Sequence, residues 1–269
     1  MTTAAGKIVL ITGAAGDIGY GLVGAFLRTG AMVIASDIRS ADLGQRLKGL
    51  DVPGGVIAVE ADLADQGSVA RLAEAALAVA GKVDVLVNNA AIQHDGDVEN
   101  CPPEAFERSY AINLRAPYLL SHALVPAMRE AGEGAIINIA SVHATAPGPR
   151  RLAYATTKTA LLGMTRSMAV DLGRYGIRVN AISPGATNTS QLQAAWSTRR
   201  SAPGGVDVFT HAARQHPLGR LAEVDDIADA AVFLADSRFI SGIELRIDGG
   251  FLSSLRLLPA SDPAEAGSA

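Results

Sequence analysis

Short runs rich in Val and Ile recur along the chain at Ile8–Ile11, Met32–Ala35, Val56–Val59, Val83–Val87, Ala135–Ile139, Ile177–Ile182 and Ile243–Ile247. Runs of this length and composition predict strands buried on both faces. Between them, Gln66–Ala80, Pro103–Ala131 and Leu152–Tyr175 place apolar residues at helical spacing. Strand and helix in alternation predict βαβ units: an α/β fold, doubly wound, with a parallel sheet and helices on both faces. Ligands of such sheets bind beyond the C-terminal ends of the strands, at the topological switch point. The residues that follow each apolar run are therefore the candidates for function.

Two stretches depart from the rhythm. Residues 188–220 separate a strand from the next helix, include Pro203-Gly204-Gly205, and form a candidate substrate lid. Residues 259–269 are rich in Pro, Ala and Ser and read as a frayed tail, which leaves 1–258 as a single catalytic domain. A length of 269 residues suits one α/β domain, and 49% apolar against 19% charged residues is enough to bury a sizeable core. The net charge of −4 argues against a nucleic-acid partner, which needs a basic footprint. Cys101, the one cysteine, excludes an intrachain disulfide, a Cys-based zinc site and an iron–sulfur cluster. His94, His122, His211 and His216 lack metal-ligand spacing, so no metal is expected. No apolar run approaches the ~18 residues of a membrane span. Met1–Gly6 lacks the basic-then-apolar pattern of a signal peptide, so the expectation is a soluble cytoplasmic protein.

The first strand leads into Thr12-Gly13-Ala14-Ala15-Gly16-Asp17-Ile18-Gly19 and then a helix. Small residues let the backbone approach a pyrophosphate, and the helix start offers N–H groups and a positive dipole end. A tight turn alone also explains glycines; the place between first strand and first helix favours the nucleotide. Asp37 closes the second run, where an acid accepts hydrogen bonds from the adenosine ribose. Its carboxylate repels a 2′-phosphate and favours NAD, whereas the guanidinium of Arg39 can pair with that phosphate. Asp62 follows the third run and Asn88-Asn89-Ala90-Ala91 the fourth.

Tyr154 and Lys158 stand four apart near the start of a predicted helix and share one face. A free tyrosine has a pKa of about 10, and bringing it to about 7 takes roughly 4 kcal/mol of preferential stabilisation of the phenolate. A neighbouring ammonium and a positively charged nicotinamide are the evident sources. Ser141 follows the fifth run, and Asn113 lies inside the preceding helical segment.

With these residues the chain resembles the short-chain dehydrogenase/reductase family, from about Lys7 to Gly250. The resemblance rests on Thr12–Gly19, Asn88–Ala90, Asn113, Ser141 with Tyr154 and Lys158, Asn180 with Pro184-Gly185, and Asp248-Gly249-Gly250, in that order. It implies a Rossmann-type sheet of about seven strands, a nicotinamide cofactor and a homotetramer or homodimer. Apolar residues beyond one stripe, as in Ala155–Leu162, also ask for a second partner. Tyr154 is implied as general base or acid, Lys158 as the group that lowers its pKa and holds the nicotinamide ribose, Ser141 as donor to the substrate oxygen and Asn113 as anchor of a relay water. The implied cofactor contacts are Gly13, Gly16, Asp17, Ile18, Gly19, Asp37, Asp62, Leu63, Asn89, Ala90, Tyr154, Lys158, Pro184, Gly185, Thr187 and Thr189. Two positions depart from the family. Asp17 stands where Gly is usual, and an acid beside a pyrophosphate costs affinity unless it turns away to cap the helix. Ala91 replaces the Gly that usually follows Asn-Asn-Ala and narrows the floor of the site.

Gln93, His143 and Arg151 are expected to line the substrate pocket with Ser141 and Tyr154. The strings Ile92-Gln93-His94 and Ile139–His143 resemble 3-hydroxybutyrate dehydrogenases, whose counterparts of Gln93, His143 and Arg151 hold a carboxylate. Those enzymes place Trp after Pro-Gly where this chain has Ala186, which opens the pocket to a sugar, polyol or sugar acid. Arg150 adjoins Arg151, and one of the two is expected to point inward. Trp196 and Arg199-Arg200 lie in the candidate lid. The expected partner is thus a small polar alcohol, ketone or sugar, with NAD as cofactor. An NADPH-dependent ketoreductase and a non-catalytic dinucleotide sensor are the alternatives. Hydrolase and NTPase motifs are missing: there is no Gly-x-Ser-x-Gly, no His-Glu-x-x-His and no P-loop.

Overall fold

The computed structural model describes residues 6–48, 55–197 and 207–254. The apolar runs form β1 (Ile8–Thr12), β2 (Met32–Asp37), β3 (Val56–Glu60), β4 (Val85–Asn88), β5 (Gly134–Ile139), β6 (Ile177–Pro184) and β7 (Glu244–Ile247). They pair in parallel as one sheet of order β3-β2-β1-β4-β5-β6-β7. The order reverses between β1 and β4, which sets the ligand crevice at their C-terminal ends. Alternation along the strands divides the core. Val9 and Ile11 face one layer with Leu22, Phe26 and Leu234. Ile8 and Leu10 face the other with Leu72, Leu120 and Leu124.

The helices are α1 (Asp17–Arg28), α2 (Ser40–Leu47), α3 (Gln66–Ala80), α4 (Pro103–Tyr110), α5 (Ala116–Ala131), α6 (Leu152–Leu172), α7 (Ser190–Ser197), α8 (Val208–Gln215) and α9 (Val224–Asp236). α7 and α8 fall within the expected lid, while Pro203-Gly204-Gly205, Arg199-Arg200 and the tail lie outside the described residues. No helix among the described residues is long and apolar enough to cross a membrane.

Three expectations are corrected. Burial on both faces holds for β1 and β4, but β3 is an edge strand with all of its residues exposed or half-exposed, and β7 is the other edge. The apolar runs Val83–Val87 and Ile177–Ile182, expected to be unbroken by charge, each carry one where it is used. Asp84, buried just before β4, accepts from the Ile8 amide at 2.8 Å and pairs with Lys82. Arg178 in β6 donates to the Leu234 and Ala235 carbonyls at the end of α9, at 2.6 and 2.8 Å. Finally, Pro103–Ala131 is not one helix: a π-helical turn, Ala111–Arg115, separates α4 from α5. Pro117 has no N–H for the carbonyl four residues back, that of Asn113, so the α-helical ladder fails there. The Ala116 N–H donates instead to the Ala111 carbonyl, and the widened turn carries Asn113 into the interior.

A buried polar chain locks α6 to the strand ends. Asn88 of β4 donates to Asn138 of β5 at 2.9 Å, and Asn138 donates to the Thr165 hydroxyl of α6 at 2.9 Å. All three are at most 2% exposed. Asn138→Ala leaves the Asn88 amide buried without an acceptor and opens a void, and is expected to cost about 2 kcal/mol. Urea unfolding measures it, and an unchanged midpoint refutes the load assigned to this chain.

Candidate active site

The turn after β1 is held tightly against the end of β4. Asn89 donates its side-chain amide to the Thr12 and Gly13 carbonyls at 2.9 and 3.1 Å. The Thr12 hydroxyl accepts from the Asn89 and Ala90 amides, both at 3.1 Å. Gly13 has φ +67°, and a Cβ there would lie 2.7 Å from the Ala90 Cα; one on Gly19 would lie 2.1 Å from the Gly13 carbonyl oxygen. Both positions therefore require glycine. Gly16 is the N-cap of α1 and offers no side chain to the N–H groups of the first turn, Ile18 and Gly19 among them. That free, positive helix end fits a pyrophosphate. Asp37, 7% exposed at the end of β2, accepts from the Ala15 amide at 3.0 Å and from the Arg39 amide and Nε at 3.0 and 3.3 Å. Asp62 accepts from the Ala64 amide at 2.9 Å, and Leu63 beside it is buried. At the end of β6, Gly185 packs against Asp248, and the Thr187 hydroxyl donates to the Gly185 carbonyl at 3.2 Å. Thr189 is engaged locally, where its hydroxyl accepts from the Leu192 amide and caps α7.

Asp17 does not cap α1. It is the first residue of that helix, its Oδ1 pairs with Arg46 of α2 at 3.0 Å, and its Oδ2 accepts from the Ser190 amide at 2.6 Å. Burial raises its pKa, but the bonds from Ser190 and Arg46 outweigh that and hold the carboxyl below its usual range.

Ser141, Tyr154 and Lys158 converge beyond the end of β5. Ser141 begins a single 3-10 turn, its oxygen accepts from the His143 amide at 3.1 Å, and its hydroxyl bonds to Tyr154. Lys158 is 1% exposed, donates to the Ile139 carbonyl at 2.6 Å, and has its nitrogen 5.7 Å from the centre of the Tyr154 ring. Burial takes its pKa down to about 7. Burial also raises the pKa of Tyr154, against smaller lowering effects of the Ser141 bond and the Arg151 charge. Without a further positive charge the phenol keeps its proton at neutral pH. Asn113 is fully buried, and its side chain is committed: it accepts from the Ile92 amide at 2.9 Å and donates to the Ile92 carbonyl and the Thr157 hydroxyl at 2.9 and 3.1 Å.

A family model described as Enoyl-(Acyl carrier protein) reductase matches residues 13–252. D-threitol dehydrogenase of Mycolicibacterium smegmatis is 36% identical over 251 residues, covering 91% of this chain and 93% of the relative. The chain belongs to the short-chain dehydrogenase/reductase family. Among solved structures, 3-ketoacyl-(acyl-carrier-protein) reductase from Brucella melitensis complexed with NADH superposes with a TM-score of 0.82 at 34% identity, covering 93% of this chain and 99% of the other. L-sorbose reductase from Gluconobacter frateurii complexed with NADPH and L-sorbose gives 0.88 at 28% identity, covering 94% and 98%. The protein is thus an oxidoreductase of this family acting on CH–OH groups with a nicotinamide dinucleotide.

Beyond the family's shared residues, the substrate rim differs from the sequence expectation. Arg151 does not stand open to a carboxylate from outside: its guanidinium pairs with Asp95, which also accepts from Gln93 at 3.3 Å. Arg150 has φ +58° and is exposed, and its guanidinium reaches the same loop, 3.8 Å from Asp97 and 3.5 Å from the Asp95 carbonyl. The strain is held by backbone bonds from Gly96 to the Arg150 carbonyl at 3.0 Å and from Leu152 to the Gly96 carbonyl at 3.2 Å. The His143 Nδ1 accepts from the Gly148 amide at 3.1 Å, and its ring meets that of Tyr154 edge-on at 6.2 Å. Burial lowers its pKa, so the ring is neutral at pH 7. Trp196 packs edge-on against Phe209 at 5.1 Å, joining α7 to α8. Asp95, Thr157, Arg46 and Ser190 were not singled out by the sequence. Only Asp95 carried a signal, two residues past Gln93 in the loop after β4.

A lysine buried without a carboxylate is an instability kept for chemistry. Lys158→Met is expected to abolish turnover yet raise stability by about 1–2 kcal/mol at pH 7. Because the folded pKa lies below 10.5, the penalty is largest at and below pH 7 and fades as pH rises from about 7 toward 10.5. The gap in melting temperature between variant and parent narrows over that range. A variant less stable than the parent at pH 7 contradicts this.

Proposed function

We propose that the protein is an NAD(H)-dependent dehydrogenase/reductase of small, uncharged polyhydroxylated substrates, a polyol or a sugar. The observation that carries this reading is the Tyr154 phenol bonded to Ser141 and set beside a buried Lys158, beyond the C-terminal end of β5. Tyr154 takes the proton of the substrate hydroxyl in oxidation and returns it in reduction. Ser141 donates to the same oxygen, and Lys158 favours the phenolate. Bound nicotinamide supplies the acceptor or donor of the hydride and a positive charge in its oxidised form. Since the Asn113 side chain is committed, its relay role passes to its carbonyl, which Pro117 leaves without an α-helical donor.

Asp95 supports the uncharged substrate. It neutralises Arg151 and adds an acceptor beside the donors Gln93 and Arg151. A hydroxyl both donates and accepts and suits that pair, whereas a carboxylate meets Asp95. The names of the threitol and sorbose enzymes agree in kind. For the cofactor, Asp37 lies where it accepts from ribose hydroxyls and repels a 2′-phosphate. One feature favours the phosphate: a surface depression lined by Ala15, Arg39, Asp42, Gln45 and Arg46. Both of its arginines are already bound, Arg39 to Asp37 and Arg46 to Asp17, so NAD is preferred.

The test is a spectrophotometric screen of polyols, sugars and 3-hydroxy acids with NAD⁺ and NADP⁺. The expected result is a higher kcat/KM for NAD⁺ with a polyol or sugar, and in that assay Tyr154→Phe loses nearly all turnover while still binding NADH. Preference for 3-hydroxybutyrate refutes the role given to Asp95, preference for NADP⁺ that given to Asp37, and an active Tyr154→Phe the assigned base. We also propose a homotetramer, in which further copies cover the exposed Tyr118 of α5, Val170 of α6 and Phe233 of α9. Light scattering at micromolar concentration reads the mass, and a monomer overturns the assignment.

A further inference from the structure

Asp17 joins three segments that the chain keeps far apart. Its Oδ2 accepts from the Ser190 amide, 173 residues away, at the first residue of α7. Its Oδ1 pairs with Arg46 of α2. Arg46 in turn donates to the Ala15 carbonyl of the cofactor turn at 2.9 Å and lies 4.5 Å over the Tyr20 ring of α1. The first turn of α7 is thus held twice, by its own Thr189 hydroxyl and by a carboxylate belonging to the cofactor turn. A carboxylate at a helix start is favourable for that helix. It opposes the binding of another anion at the start of α1, where, under the proposed function, the pyrophosphate sits. Arg46 balances this charge seen from afar, but the carboxylate itself is the group that stands in the first turn of α1.

We propose that Asp17 is a positioning residue that anchors α7 to the cofactor turn at the expense of cofactor affinity. α7, which falls within the candidate lid, is thereby fixed from the cofactor turn. A residue that merely supported the turn would weaken both functions when replaced, whereas this role makes them move in opposite directions. Two variants separate charge from hydrogen bonding. Asp17→Gly removes both, and Asp17→Asn keeps a neutral acceptor for the Ser190 amide.

The experiment measures NADH binding by calorimetry without substrate, and amide hydrogen exchange of peptides covering 188–197. Both variants are expected to bind NADH about two- to fivefold more tightly than the parent. Exchange in α7 is expected to speed up in Asp17→Gly and to stay near the parent rate in Asp17→Asn. Weaker NADH binding in Asp17→Gly, or parental protection of α7 in that variant, overturns the proposal. Equal loss of protection in both variants overturns the part assigned to the hydrogen bond.

Discussion

Lys158 holds an ammonium group in the interior at 1% exposure, with a single short bond to the Ile139 carbonyl. Removing such a group from water costs several kcal/mol even after relaxation, and among the described residues no carboxylate offsets it by an ion pair. α6 must therefore be pressed onto the end of β5 by other contacts. Two buried amide chains do this, Asn88–Asn138–Thr165 deeper in the sheet and Ile92–Asn113–Thr157 nearer the site. Both end on threonine hydroxyls of α6, one on either side of Lys158 in sequence. The gain is chemical. The nitrogen lies 5.7 Å from the centre of the Tyr154 ring, and burial, by taking its pKa down to about 7, leaves a group that can gain or lose a proton near neutral pH.

Three acids at the rim are each coupled to an arginine. Asp17 pairs with Arg46, Asp37 with Arg39 and Asp95 with Arg151. Under the proposed function the first adjoins the pyrophosphate end, the second the ribose position and the third the substrate side. A ligand approaching this edge meets three nearly balanced dipoles rather than a field of one sign. Long-range steering is then weak, and selectivity rests on which hydrogen bonds a ligand can complete without breaking a pair. Under the proposed function, hydroxyl-rich ligands satisfy that condition better than carboxylates.

The sequence made the strands and the motif residues legible because both depend on local composition. Val and Ile runs declare β1, β4 and β5, and glycines declare the turn that Ala90 approaches too closely for a Cβ. Edge position is not local: the run at Val56 reads like the others, yet β3 has a neighbour on one side only. Pairing across the chain is hidden for the same reason. Nothing near Asp17 announces Ser190 or Arg46, and Arg151 reads as an open cation until the loop after β4 brings Asp95 to it. Asn138 looks like a polar interruption of a strand, and only the neighbouring strand and helix make it a link.

The break between α4 and α5 was the one such feature written locally. A proline four residues after a candidate site residue removes the donor that the intervening carbonyl expects, and Pro117 stands so to Asn113. The structure then separates the two halves of Asn113. Its side chain is consumed in tying Ile92 to Thr157, a structural role, while its carbonyl is the group the proline releases. Under the proposed function the chemistry thus draws on a backbone atom, and the asparagine is needed because its amide both donates and accepts and so holds the widened turn in place. Leu or Met at this position would fill the volume but leave the Ile92 amide and carbonyl unpaired in the interior. The site residue and the scaffold residue are the same asparagine, acting through different atoms.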